Sequence, residues 1–127
     1  MHERILVSLA AAVAVLLAPA ARAGEPPKKT PELLEKGKAS FAKNCAACHG
    51  AKGEGDGAVA AALNPRPRNF ATDPFQYGSS AAQVFATLGK GSPGTAMIGF
   101  THLPEEDRWG LAYYVLELKS AGKGAKK

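Results

Sequence analysis

The sequence predicts an all-α fold made as one small domain. Helical apolar spacing with suitable cap residues opens near residue 30 and again near residue 104. No stretch alternates apolar and polar residues as a half-buried strand would. No internal repeat is present, so a second copy of the same domain is excluded.

The N-terminus comes first. Ile5 to Ala18 is an apolar run, Pro19 breaks it, and Ala21-Arg22-Ala23 offers an A-x-A cleavage site. This is the layout of a secretory signal peptide, although Glu3 offsets Arg4 and leaves its first part weakly charged. The run is shorter than the roughly 20 residues of a comfortable membrane span. Residues 1–23 are predicted to be removed after Ala23, with an uncleaved anchor as the alternative. The expected location is the periplasm. No Cys follows the run, so the lipoprotein reading is excluded.

Cleavage leaves 104 of the 127 residues. A domain of that size has a thin core. The whole chain carries 16 Lys and Arg against 11 Asp and Glu. Loss of Glu3, Arg4 and Arg22 makes this 14 against 10. Much of the excess lies at the ends, in Lys28, Lys29, Lys123, Lys126 and Lys127. Such a balance steers a protein toward acidic partners or anionic lipid, and membrane association would be peripheral at most unless the apolar segment is retained. No aromatic-interleaved basic patch argues for nucleic acid.

Residues 24–30 read as a flexible Pro- and Lys-containing linker. Thr30-Pro31-Glu32 supplies a capping hydroxyl, a first-turn proline and an acid at the positive helix end. The first helix should run from Pro31 to about Lys43, with Leu33, Leu34, Gly37 and Phe41 as its apolar stripe. Gly50 to Gly57 contains four glycines and reads as a loop. A short helical turn is predicted near Ala58 to Leu63, and two prolines make Asn64 to Phe70 irregular. Ser80-Ala81-Ala82-Gln83 is a capping-box pattern opening a short helix that Gly89 should close. Pro104 and the acids Glu105, Glu106 and Asp107 open a last helix to about Ser120. Its wide apolar coverage, from Trp109 to Leu118, predicts deep burial. The domain should span 31–120, with 121–127 a flexible basic tail.

The chemistry is concentrated in Cys45-Ala46-Ala47-Cys48-His49, which holds both cysteines of the chain. C-x-x-C-H is the attachment signature of c-type haem. Two thiols reach the two vinyl groups on one porphyrin edge, and the next residue presents an imidazole to the iron. His49 is the candidate proximal ligand, and one covalently bound haem c with its iron is the expected cofactor. A disulfide gives no reason for His49. A thioredoxin-like pair wants a βαβ setting that the sequence lacks. Zinc wants four ligands, and only a distant His102 could add to these three. Export agrees with haem attachment, which belongs to the far side of the bacterial inner membrane.

The sixth position of the iron decides the function. Met97 is the leading candidate, in the glycine-flanked loop Gly94-Thr95-Ala96-Met97-Ile98-Gly99. After cleavage it is the sole methionine. His102 is the rival, and an open position is the third case, which would permit a haem enzyme or gas sensor. A His/Met iron has no free site and passes single electrons, its thioether raising the potential.

These residues resemble the class I, monohaem bacterial cytochromes c. The similarity covers essentially Pro31 to Ser120, through C-A-A-C-H-G at 45–50 and G-T-A-M at 94–97. The resemblance implies a crossing of the first and last helices, with Gly37 and Phe41 meeting Leu111 and Tyr114. It implies that a proline-loop carbonyl accepts the ring N–H of His49, with Pro65 the candidate and Pro67 the runner-up. It also implies that Asn69 and Phe70 line the haem edge. Ile98 stands where many relatives have proline. The implied role is a one-electron carrier, not an enzyme, between periplasmic or membrane redox proteins. Docking is expected around the haem edge ringed by Lys43, Lys52 and Lys90. A subunit of a larger oxidoreductase complex is the other alternative.

Overall fold

The computed structural model describes residues 25–124. The predicted signal segment 1–23 and the end of the predicted tail, 125–127, lie outside the described residues. Among the described residues four α-helices follow in order, α1 (Pro31–Asn44), α2 (Ala46–His49), α3 (Ala81–Lys90) and α4 (Glu105–Gly124), with one 3-10 turn at Ala60–Ala62. No strand occurs among the described residues.

Helix α1 starts where the sequence says it should. Thr30 is extended, and its hydroxyl accepts the Leu33 amide at 3.2 Å. Pro31 follows, in a position where a missing N–H costs nothing. Leu33, Gly37, Ser40 and Phe41 form the buried face. On α4 the buried set is Trp109, Gly110, Leu111, Ala112 and Val115, and Leu111 and Ala112 are wholly enclosed.

The two helices cross at glycine on glycine. A Cβ built on Gly37 would overlap the Gly110 carbonyl, and one on Gly110 would lie 2.7 Å from the Gly37 nitrogen. Gly37 therefore meets Gly110 rather than Leu111 alone, while Tyr114 packs edge-on against Phe41 at a centroid distance of 5.2 Å. Lys36 and Glu106 add an exposed ion pair at 2.6 Å beside the crossing. Such a pair contributes little, so the crossing rests on packing.

Helix α3 has the expected box: Ser80 Oγ accepts the Gln83 amide and Gln83 Oε1 accepts the Ser80 amide. Its end differs from expectation. Gly89 remains helical, and the helix stops at Gly91, whose φ of 74° suits glycine. Gly99 is the glycine that needs space here, since a Cβ on it would overlap the Gly89 carbonyl. Phe85 of α3 stacks on Trp109 of α4, and the Arg108 guanidinium lies 4.6 Å from the Phe85 centroid.

Both ends of the domain are more ordered than the sequence suggests. Residues 25–30 are not a free linker: Tyr113 donates its hydroxyl to the Pro27 carbonyl, and Lys29 pairs with Glu117 at 2.7 Å. At the other end, residues 121–124 continue α4 instead of starting the tail, because Gly122 lets the helix close on Ala71.

Gly37→Ala gains helix propensity of about 1 kcal/mol in an open helix. Here overpacking should win and lower stability by about 1–3 kcal/mol. Denaturant unfolding of the haem-loaded protein checks this, and a stabilised variant would contradict the crossing.

Candidate functional site

The Cys45 amide donates to the Phe41 carbonyl at 2.9 Å as α1 ends. Helix α2 follows at once, with the His49 amide on the Cys45 carbonyl at 2.9 Å and the Gly50 amide on the Ala46 carbonyl at 2.8 Å. One short turn thus carries both thiols and the imidazole. Gly50, at φ 81°, reverses the chain. The glycine loop then folds back beneath the turn. Amides of Gly55, Gly57 and Val59 donate to the carbonyls of His49, Cys48 and Ala47 at 2.8, 3.1 and 3.1 Å. A Cβ on Gly57 would overlap the Ala47 carbonyl, which explains one glycine of the run.

Cys45, Cys48, His49 and Met97 all line one cavity of about 540 Å³. Its walls include Phe41, Phe70, Phe75, Val84, Leu88 and Val115, so it is mostly apolar. Met97 is held by its backbone: its amide donates to Thr95 Oγ1 at 3.1 Å, and its carbonyl accepts the Ser92 amide at 3.0 Å. The Phe100 amide ties this loop to the Leu88 carbonyl of α3 at 2.7 Å. His102 is exposed and does not line the cavity.

His49 is fixed on two sides. Its Nδ1 lies 3.1 Å from the Arg68 carbonyl, and Phe70 stacks on its ring with centroids 4.5 Å apart at 19°. The accepting carbonyl is therefore that of Arg68, not of Pro65 or Pro67, although both prolines line the cavity. Backbone register decides this. The Phe70 amide donates to the Gly53 carbonyl at 2.8 Å, and Gly55 lies against the Pro67 carbonyl. That docking turns the residue 68 carbonyl toward the imidazole. Phe70 lines the cavity, but Asn69 does not. Asn69 instead organises the next turn, donating its amide to Asp73 and accepting the Ala71 amide at 2.9 Å. The Arg68 guanidinium donates to the Pro74 carbonyl.

The electrostatics suit a metal-bound imidazole. Burial holds His49 below its ordinary pKa; the Arg68 carbonyl opposes this and the Arg68 charge reinforces it. The ring is then neutral at pH 7, its Nδ1–H donates to Arg68, and Nε2 keeps a lone pair for iron. Burial, with the neighbouring Cys48, pushes the Cys45 thiol up to about 11. Both thiols are free rather than joined in a disulfide. Among the described residues, no group of three or more His, Cys, Asp or Glu is placed to hold a metal ion. A mostly apolar cavity lined by two free thiols, an imidazole and a thioether fits a haem.

The family model for cytochrome c matches residues 34–119. The chain belongs to the cytochrome c family. Among solved structures, this cytochrome is similar to a chain of the reducing HAO-like protein complex of Kuenenia stuttgartiensis, with a TM-score of 0.69 and 31% identity. The match covers 79% of this chain and 50% of that one, so the cytochrome spans about half the length of that neighbour. No curated protein matches. Haem c, covalently attached and carrying iron, is the cofactor of the family, and Cys45 and Cys48 are the thiols this chain has for it. No helix among the described residues is long and apolar enough to cross a membrane.

Sequence reasoning named the side chains on the cavity and missed the Arg68 carbonyl, which carries no residue signature. Gly110 was also missed, although a glycine inside Trp109-Gly110-Leu111 was a readable signal of close helix approach.

Phe70→Ala should keep the covalently bound haem, because both thiols remain, yet lose about 3–5 kcal/mol of stability. Denaturant unfolding with mass measurement checks both parts. A cost under about 1 kcal/mol would mean that Phe70 does not brace His49.

Proposed function

We propose that this cytochrome is an exported, periplasmic monohaem electron carrier, with His49 and Met97 as the axial ligands of its single haem. The reading rests on one observation above all: Met97 lines the cavity that holds Cys45, Cys48 and His49, whereas His102 does not. The haem supplies a one-electron iron couple. The chain supplies the rest. Cys45 and Cys48 fix one haem edge, His49 is aimed by the Arg68 carbonyl and Phe70, and Met97 is set by the hydrogen bonds of its own loop. Ligands held this way move little between oxidation states, which favours electron transfer. Apolar walls limit water, and the thioether raises the potential. With both axial positions filled, no site is left for a substrate, which is why we read the protein as a carrier rather than an enzyme.

Lys43, Lys52 and Lys90 are exposed and give an acidic redox partner a cationic rim to approach. The neighbour's membership in a protein complex favours a second reading, a c-type subunit of a larger oxidoreductase.

The axial assignment is tested by absorption spectra of the oxidised and reduced protein, with carbon monoxide added to the reduced form. The expected result is no carbon monoxide binding by the native protein and ready binding by Met97→Ala. Carbon monoxide binding by the native protein would instead mean an open sixth position, and with it the enzyme or sensor reading. Docking is tested by the rate of electron transfer to an acidic redox protein. That rate should fall as ionic strength rises, and an unchanged rate would remove the charge-guided partner.

A further inference from the structure

The C-terminal end of α4 lies against the segment that restrains His49. A Cβ on Gly122 would overlap the Ala71 Cβ and lie 2.7 Å from the Ala71 Cα. Ala71 is not a free loop residue. Its amide donates to Asn69 Oδ1 at 2.9 Å, the Asn69 amide donates to Asp73 at 2.8 Å, and the Asp73 amide donates to the Asn69 carbonyl at 2.9 Å. Residues 69–73 therefore move as one hydrogen-bonded turn, and the residue before that turn is Arg68, whose carbonyl accepts from His49.

Two neighbouring residues of α4 join the same contact. Lys119 places its ammonium 4.2 Å from the Phe75 centroid. Leu118 approaches Phe70 at Gly53, where an added Cβ would lie 2.6 Å from a Phe70 ring carbon and 3.0 Å from a Leu118 methyl. Phe70 in turn stacks on His49. One helical turn, 118–122, thus bears on both restraints of the imidazole. Gly124, two residues further, has nothing within 4 Å of where a Cβ would stand.

We propose that Gly122 is a positioning residue for the proximal histidine: its missing side chain lets α4 close on Ala71 and press the Arg68 carbonyl against His49. This rests on His49 being the axial ligand. A firmly accepted Nδ1–H makes an imidazole a better donor to ferric iron. Loosening it destabilises the ferric state relative to the ferrous and raises the reduction potential.

The test uses the haem-loaded protein and its Gly122→Ala, Gly124→Ala, Leu118→Ala and Ala71→Gly/Gly122→Ala variants. It reads the reduction potential and, by NMR of the reduced protein, the solvent-exchange rate of the His49 Nδ1–H. G122A should raise the potential and speed exchange, while G124A should change neither. The double variant should recover part of the shift, because the Ala71 methyl is removed and its Cα is not. L118A, which adds no bulk anywhere, should also speed exchange through Phe70. If G122A matches G124A, or if L118A exchanges as slowly as the native protein, the proposal is overturned. A native protein with no haem-shifted His49 ring proton would instead overturn the axial assignment, so the two failures are distinguishable.

Discussion

The cavity of about 540 Å³ is the constraint on which the rest of the structure depends. Beside the packed core, the helices wall this cavity. Phe41 of α1, Val84 and Leu88 of α3 and Val115 of α4 are buried core residues that also line the cavity. A haem held there would meet these apolar walls and be fixed through Cys45 and Cys48.

The Gly37–Gly110 crossing brings α1 and α4 together, and Phe41 and Val115 from these helices line the same cavity. The same α1 delivers Cys45 at its end, so helix packing and haem attachment share one element. Behind the imidazole, glycine loop 50–57 and the 67–73 segment are joined by the backbone hydrogen bond from the Phe70 amide to the Gly53 carbonyl. Side-chain chemistry at the site is simple. Most of the specification lies in where the backbone holds it.

The sequence made legible whatever had to be done by a side chain. Thiols, imidazole and thioether have no substitutes, so Cys45, Cys48, His49 and Met97 stand out from the order of residues alone. Helix starts were equally readable, because Thr30 and Ser80 cap by side-chain hydrogen bonds. What backbone does was not readable. The acceptor for His49 belongs to Arg68 because the Gly53–Phe70 hydrogen bond sets the register, and any residue has a carbonyl. Helix ends were misplaced for a related reason. Gly89 does not close α3, which runs on to Lys90, and Gly122 lies inside α4 where the helix meets Ala71. Residues 25–30 looked like a solvated linker, since nothing local announces the Tyr113 hydroxyl or Glu117 that hold them.

The central claim is that one haem lies in this cavity with His49 on one face and Met97 on the other. Proton NMR of the reduced, diamagnetic protein tests it most directly, because a methyl group bound over a porphyrin face is shifted far upfield by the ring current. The account predicts one such methyl singlet outside the normal protein range, assigned to Met97 and absent from Met97→Ala. A spectrum without it, or one in which it survives that substitution, would contradict the assignment and the carrier function built on it.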